Sequence, residues 1–584
     1  MVDLISATSV SAVFTERARK TGAEQAVAIV SDPADPASAE WLTFAELDHA
    51  ARVFAQELGR TCESGARVLL LYPTSKEFVA AVLGCLYAGM VAVPSSMPGR
   101  YRHDQRRVLG IARDAEAACV LTSAGDHAEV AGWAAQEGFE VPVLCPEIDP
   151  TRDVTDVREL PADRDTLALL QYTSGSTSDP KGSMVTHGNL LANAATTAEA
   201  FRFEEGQRFG GWLPNYHDMG LMGLLLSPLL GGTSTVLMSP AAFLRRPSAW
   251  LQMFGNFGVT LSAAPNFAYE LCTARVRDEE LAGLDLSGWR YAVNGSEPVK
   301  SRVLADFAER FAPAGFRPDT FAPCFGMAEA TLLVSTTPSR EPVVLSCDAA
   351  ALEQDVVRPA ADGPVRTLVS CGAPRDLDVR IVDPATQDEL AAGQVGEIWL
   401  SGPSVVRGYW RNEAATRETF GRTVGTVGGF LRTGDLGTLV DGELYVTGRI
   451  KEMMIIRGRN IYPHDIEHEL RRQHEQLRDT VGAVVTVPGE GEGEDRLVLI
   501  HEIRRLAPEP DLADLVGKVR TTVSKEFGLR AHAVLLMRRG GVQRTTSGKV
   551  RRAEMRAQYL DGELRPVFAD GYRARAEAAA EESR

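Results

Sequence analysis

The sequence predicts an α/β protein: a large N-terminal domain of layered α/β subdomains, a small β-rich subdomain closing it, and a small α+β domain at the C-terminus. Two patterns carry this. Apolar runs with strand character, such as "ARVLLLYP", "ACVLTS", "GTSTVLMS" and "RYAVNGS", alternate with helix-period segments such as "FAELDHAARVFAQELG", and that alternation predicts largely parallel sheets covered by helices. From about Ser370 the pattern changes to short strands cut by glycine turns, "VRIVDP", "GEIWLSG" and "GELYVTG".

Taken in order, the first 450 residues read as the large domain. In "FVAAVLGCLYAGMVAVP", from Phe78 to Pro94, a buried helix and then a strand are expected rather than a membrane span, because the run is short and broken by glycines. After "YVTGRIKEMMIIRGRNIYPHDIEHELRR" the chain returns to strands ("VGAVVTVP", "RLVLIHEI") and a helix ("DLADLVGKVRTTVSKEFG"). The expected domains are therefore 1–450 and 451–570, followed by a tail, 571–584, rich in Ala, Glu and Arg. A length of 584 residues is too great for one core.

Composition narrows the function. A formal charge of −16 argues against a general nucleic-acid grip. The eight cysteines are scattered without a CxxC pair and read as thiols of a reduced compartment. No export leader is seen at the start, so a cytoplasmic protein is expected.

The most informative stretch is "QYTSGSTSDPKGSMVTHGNL", Gln171 to Leu190. Glycines let backbone N–H groups close on an anion, hydroxyls at Thr173, Ser174, Ser176 and Thr177 donate, and Lys181 adds charge. The loop suits a polyphosphate. It is not a Walker loop, which needs Ser or Thr directly after GK; alone, it could be a surface turn.

It does not stand alone. The string resembles the phosphate-binding loop of the adenylate-forming superfamily, which includes acyl-CoA synthetases, amino-acid adenylation domains, luciferases and fatty acyl-AMP ligases. "NGSEPV" (Asn294 to Val299), "CFGMAEAT" (Cys324 to Thr331), "LRTGDLG" (Leu431 to Gly437), "GRIK" (Gly448 to Lys451) and "RTTSGKVRR" (Arg544 to Arg552) follow in the family's order. The resemblance implies ATP and Mg²⁺ as cofactors. It implies nucleotide contacts from Thr173, Ser174, Gly175, Ser176, Thr177, Lys181, Asn294, Gly295, Ser296, Phe325, Gly326, Met327, Ala328, Thr331, Asp435, Arg449 and Lys549. Glu329 would hold the metal, and Lys451 would be the hinge of a mobile C-terminal domain. Lys549, His217 and Lys181 are the implied catalytic residues. The side-chain chemistry suits these roles, since Phe325 offers a stacking face, Glu329 a hard oxygen, Asp435 acceptors for ribose hydroxyls and Arg449 a planar fork.

Two segments resemble the fatty acyl-AMP ligases within that superfamily. "GWLPNYHDMGLMG" and the following "SPAAFLRRPSAWLQMFGNFGVTLSAAPNFAYELC" suggest an aliphatic channel with a polar mouth. Its expected residues are Trp212, His217, Asp218, Met219, Gly220, Met222, Pro265 and Asn266. An extra segment, about 338–369, resembles the insertion that in those ligases hinders thioester formation with CoA. The expected reaction is activation of a fatty acid to its adenylate, then transfer to the phosphopantetheine thiol of a separate acyl carrier protein or synthase. A CoA ligase, or a nucleotide-binding protein without activity, remains open.

Three further expectations concern single residues. Ala328 stands where the superfamily often has threonine, so another hydroxyl such as Thr331 would have to serve. His464 and His468, though spaced i, i+4, are expected on a solvated face. Arg538, Arg539, Arg544, Lys549, Arg551, Arg552 and Arg556 could form a basic docking surface for an acidic carrier.

Overall fold

A computed structural model describes residues 3–99, 102–157, 160–172, 180–360, 365–456, 459–488, 495–506, 508–545 and 549–572. The expected α/β layering is present. An eight-stranded sheet runs in the order Leu333–Thr336, Phe321–Gly326, Tyr291–Asn294, Leu261–Ala264, Arg208–Gly211, Ser234–Leu237, Gln25–Val30 and Ala39–Thr43. Its interior pairs are parallel and its two edge strands antiparallel, as expected for a sheet buried on both faces. A six-stranded sheet, ordered Val143–Leu144, Cys119–Thr122, Arg67–Leu71, Val91–Ser95, Leu167–Tyr172 and Gly182–Thr186, lies alongside.

Local chemistry sets the helices that separate these sheets. Phe44–Thr61 starts on a capping box in which Thr43 and Glu46 satisfy each other's backbone donors. Lys76–Tyr87, capped by Ser75, is buried along most of its length; it is the helix expected in the apolar run, and Val91–Ser95 is the strand that follows it. Among the described residues no helix is long and apolar enough to cross a membrane.

The region after Ser370 forms the β-rich layer, with Asp378–Val382, Gly396–Ser401, Val427–Val440 and Glu443–Arg449 pairing antiparallel. From Met454 onward the buried apolar residues other than Tyr462 form cores of their own, around Ile466, Leu499, Val519 and Leu536 on one side of a four-stranded sheet and around Ile500, Leu535 and Met555 on the other.

The extra segment is a hairpin, Val344–Asp348 against Val365–Val369, with a short helix Ala349–Leu352 between the strands. It touches both parts of the molecule. Thr367 Oγ1 lies 3.4 Å from Ser301 Oγ, while the Arg366 guanidinium sits 3.7 Å from Asp465 Oδ2 and over the Phe527 ring at 4.7 Å. Leu352 packs with Val395, Leu436 and Tyr462.

Candidate active site

The strands of the large sheet end at one side, and there the chain makes its least regular turns. After Arg208–Gly211 it passes through Tyr216, His217 and Asp218 into a π-helix, Met219–Leu226, a rare form that concentrates at functional sites. Gly220 permits this: a Cβ there would lie 2.2 Å from the Pro214 carbonyl oxygen. Asp218 Oδ1 accepts from the Met219 N–H at 2.7 Å and lies 2.7 Å from His217 Nδ1. Burial opposes the Asp218 charge, but His217 and Lys549 outweigh it and hold its pKa below the ordinary 3.8.

Phe321–Gly326 delivers Phe325, and the turn beyond it delivers Met327, Ala328 and Glu329. The Glu329 carboxylate accepts a 2.9 Å hydrogen bond from the Tyr409 hydroxyl. Burial raises its pKa against that bond. Lys181 Nζ lies 5.1 Å from the centre of the Tyr409 ring, so one tyrosine touches both the candidate metal carboxylate and the lysine of the anion loop. Among the described residues no cluster of three His, Cys, Asp or Glu side chains is placed to hold a metal. The single hard carboxylate, engaged by one neutral donor and keeping free lone pairs, fits Mg²⁺ shared with phosphate oxygens, because that ion is commonly bound through one or two carboxylates plus substrate.

The β-rich layer contributes the other wall. Asp435, buried, accepts from Arg449 Nε at 2.7 Å across the pair of strands that holds both. Burial pushes its pKa up while Arg449 and Lys549 pull it down. From the C-terminal part, a hairpin closes with the Thr545 N–H donating to the Lys549 carbonyl at 2.7 Å and the Arg551 N–H to that of Gln543 at 2.9 Å. It brings Lys549 into the same cavity as His217 and Arg449. Burial, then Arg449, pulls the Lys549 pKa below 10.5, with Asp218 and Asp435 opposing.

These groups surround one cavity of about 230 Å³. Its other lining residues are mostly apolar: Phe201, Phe209, Leu261, Ala263, Val293, Leu332 and Leu333, with Thr197, whose hydroxyl donates to the Asn193 carbonyl at 2.7 Å. A wider cleft, about 760 Å³, adjoins it through Ser296, Phe325, Gly326, Arg449 and Lys549 and includes Asp435.

The geometry corrects several expectations. His217, Asp218 and Met219 line the cavity, but Trp212, Gly220, Met222, Pro265 and Asn266 do not. Trp212 stacks on Phe243 at 4.0 Å inside an aromatic core. Gly220 faces Pro214, Met222 is buried, and Pro265 caps a helix. Asn266 instead braces the loop after Asn294, with Nδ2 donating to the Pro298 carbonyl at 2.9 Å and Oδ1 accepting from the Lys300 N–H at 3.3 Å. Of "NGS", only Ser296 reaches the cavity; Asn294 is fully buried and Gly295 packs on Cys324. Thr331 cannot replace the missing hydroxyl at Ala328, because its Oγ1 donates to the Ser404 carbonyl at 2.7 Å.

His464 and His468 are not on a solvated face; both line the wider cleft beside Glu270, Lys300 and Arg471. Of the seven basic residues of the expected docking surface, Arg538, Arg539, Arg544 and Arg556 are exposed and three are turned inward. Lys549 and Arg551 face the cavity, and Arg552 is clasped by Glu467 and Glu452 at 2.7 and 2.9 Å. Thr173, Ser174, Gly175, Ser176 and Thr177 lie outside the described residues, as does the tail beyond Tyr572. The channel walls and Tyr409 escaped sequence reasoning. Leu261 and Ala263, two apart on one strand and so on one face, were the available signal.

A two-part fold in which a carboxylate, Glu329, an arginine, Arg449, and a C-terminal lysine, Lys549, line one cavity matches an adenylate-forming architecture. The family model for AMP-binding enzymes matches residues 14–410. The medium-chain-fatty-acid [acyl-carrier-protein] ligase JamA of Moorena producens is 42% identical over 537 residues, 90% of each chain. The long-chain-fatty-acid AMP ligase FadD26 of Mycobacterium marinum is 37% identical, covering 94% of this chain and 97% of that one. A solved structure from a study of fatty acyl-adenylate ligases of E. coli and L. pneumophila superposes with a TM-score of 0.85 at 32% identity, over 95% and 98% of the two chains. The L. pneumophila ligase in complex with acyl adenylate and pyrophosphate superposes at 0.75 with 34% identity, over 98% and 99%. The chain belongs to the AMP-binding enzymes and, within them, to the fatty acyl-AMP ligases.

Proposed function

We propose that this protein joins a fatty acid to AMP and then delivers the acyl group to the phosphopantetheine thiol of a separate acyl carrier protein or synthase domain. The observation that carries the reading is one cavity lined by apolar side chains on one hand and by Lys549, Arg449, His217 and Glu329 on the other. An acyl chain against the first would present its carboxylate to the second.

In the first half, a carboxylate oxygen bonds to the α-phosphorus of ATP. The bond from that phosphorus to the bridging oxygen breaks, and its electron pair leaves on pyrophosphate. No protein nucleophile is needed; alignment and charge stabilisation suffice. Lys549 and Arg449 offset charge at the reacting phosphate, Phe325 and Ser296 receive the base, and Asp435 exchanges its bond with Arg449 for ribose hydroxyls. Mg²⁺ held by Glu329 would screen the phosphates. Asn266, through the Pro298 loop, positions Ser296.

In the second half the carrier thiol gives up its proton, its sulfur bonds to the acyl carbon, and AMP leaves with the electrons of the broken C–O bond. Rotation about Lys451 would withdraw Lys549 and open the wider cleft to the incoming arm. The hairpin at 338–369, tied to both parts of the molecule by Thr367 and Arg366, opposes that rotation, which supports a carrier rather than free CoA as acceptor. ATP and a carrier thiol fit action in the cytoplasm, where the cysteines, all unpaired in the structure, would stay reduced.

Mass spectrometry of products from Mg·ATP and a ladder of fatty acids, with CoA or with a carrier protein, tests this. Acyl-AMP with little acyl-CoA is expected; abundant acyl-CoA would replace the reading with a CoA ligase.

A further inference from the structure

Arg107, on the helix Arg102–Asp114 of the N-terminal part, and Arg551, from the segment that carries Lys549, line the same cavity as Tyr216. Arg551 Nη2 is 2.7 Å from Glu554 Oε2. Among the described residues no hydrogen bond or ion pair engages the Arg107 guanidinium. Asp104 and Tyr216 act on Arg107 only as neighbouring charges, and Arg551 faces it as a like charge. A partly buried guanidinium without a hydrogen-bonding partner among the described residues, beside a second arginine, is suited to an anion.

The position says which anion. One turn beyond Arg107, Gly110 packs 3.7 Å from the Pro180 ring, measured from the point where a Cβ would sit. At the end of the same helix Asp114 Oδ2 accepts from the Tyr172 hydroxyl at 2.6 Å, so the helix that carries Arg107 touches both described flanks of the hydroxyl-rich stretch. Arg449 and Lys549 already serve the nucleotide's inner phosphate and sugar.

We propose that Arg107 and Arg551 form a two-domain clamp on the β- and γ-phosphates of ATP and hold pyrophosphate as it leaves. This rests on the adenylate-forming reading above. Guanidinium forks suit phosphate oxygens. Because Arg551 arrives with Lys549, the outer phosphates are gripped only while the reacting lysine is in place, and withdrawal of the hairpin releases pyrophosphate.

ATP–pyrophosphate exchange with the full-length chain and a fatty acid that it activates reads this directly. Arg107→Ala should raise the half-saturating pyrophosphate concentration about 10- to 100-fold, the worth of one charged hydrogen-bonding pair. Arg107→Lys should recover part of the loss. Arg551→Ala should act the same way, and the double variant should lose less than the product of the two. Affinity for an acyl-sulfamoyl adenosine, which has no β- or γ-phosphate, should stay within about twofold. Unchanged pyrophosphate saturation in both single variants overturns the clamp, as does a parallel loss of affinity for the analogue, which would mean a merely structural role. Calorimetric titration of the same proteins with magnesium pyrophosphate separates the two levels. A wild-type chain that exchanges nothing with any fatty acid yet binds pyrophosphate through Arg107 would sink the reaction and keep the subsite.

Discussion

Tyr409 lies far from every quoted motif, yet it joins two of them. Its hydroxyl donates to Glu329 and its ring lies under Lys181. Tyr409→Phe keeps the ring and removes the donor, leaving a carboxylate that burial already disfavours in its charged form. We expect the Mg²⁺ concentration for half-maximal adenylation to rise about 10-fold, the worth of one hydrogen bond to a charged group, with the KM for fatty acid unchanged. A loss of fatty-acid affinity instead would place Tyr409 in the channel. Lys549→Ala should be costlier, about 10²- to 10³-fold in adenylation, measured as acyl-AMP formed in a single turnover. Residues with a diagnostic neighbourhood, such as Lys549, Glu329 and Asp435, were legible in the sequence. Tyr409 and Arg107 were not, since an aromatic on a loop and an arginine on a helix are commonplace until a fold brings them beside the phosphate loop's flanks.

The channel belongs to the scale of elements. Its walls come from one helix, His187–Ala200, with Phe201 at its end, and from successive parallel strands. Strand alternation makes Leu261 and Ala263 share a face, and enlarging the smaller of them should shorten the space. Ala263→Leu is expected to move the preferred fatty acid to shorter chains, read from the same ladder of substrates, with adenylation of the shortest retained. The alternation was readable in "LSAA", but which face met the channel was not, because Ser262 marks the face that bonds to the buried Trp250 indole rather than a solvated one, so polarity did not tell core from channel. Trp212 was misplaced because an aromatic that follows a strand fits a channel wall or a core equally well, and here it stacks on Phe243. Elsewhere an element acts as a tie. Arg366→Ala removes both the contact with Asp465 and the stacking on Phe527. That change should raise acyl-CoA formation from its low level by several-fold, while acyl-AMP formation stays near wild type. An unchanged ratio of acyl-CoA to acyl-AMP would remove Arg366 from the restraint.

At the scale of the whole molecule, two buried histidines make its parts acid-sensitive at once. In the large domain, His187 opens a helix, and its Nδ1 accepts the Val10 N–H at 3.1 Å, joining the N-terminal helix Val10–Thr21 to the core. Burial lowers its pKa from 6.5 to about 4, with Asp163 opposing weakly. In the C-terminal domain, His501 lies buried on the strand Asp495–Glu502, its Nδ1 2.8 Å from the Glu502 carbonyl, and burial again takes its pKa to about 4. Between those two values the unfolded chain holds a proton that the folded chain refuses, so stability is full above pH 6.5 and falls as pH drops toward 4. Each site contributes at most about 3 kcal/mol over that window. Because the two sites sit in separate cores, the loss should be seen in both parts rather than in one weak lobe. Calorimetric scans from about pH 8 to about pH 4 should show Tm falling once the pH drops below 6.5. His187→Asn, whose side-chain oxygen can still accept from Val10, should be less stable at neutral pH yet flatter on the acid side, and a parallel acid fall in variant and wild type would assign the sensitivity to other groups.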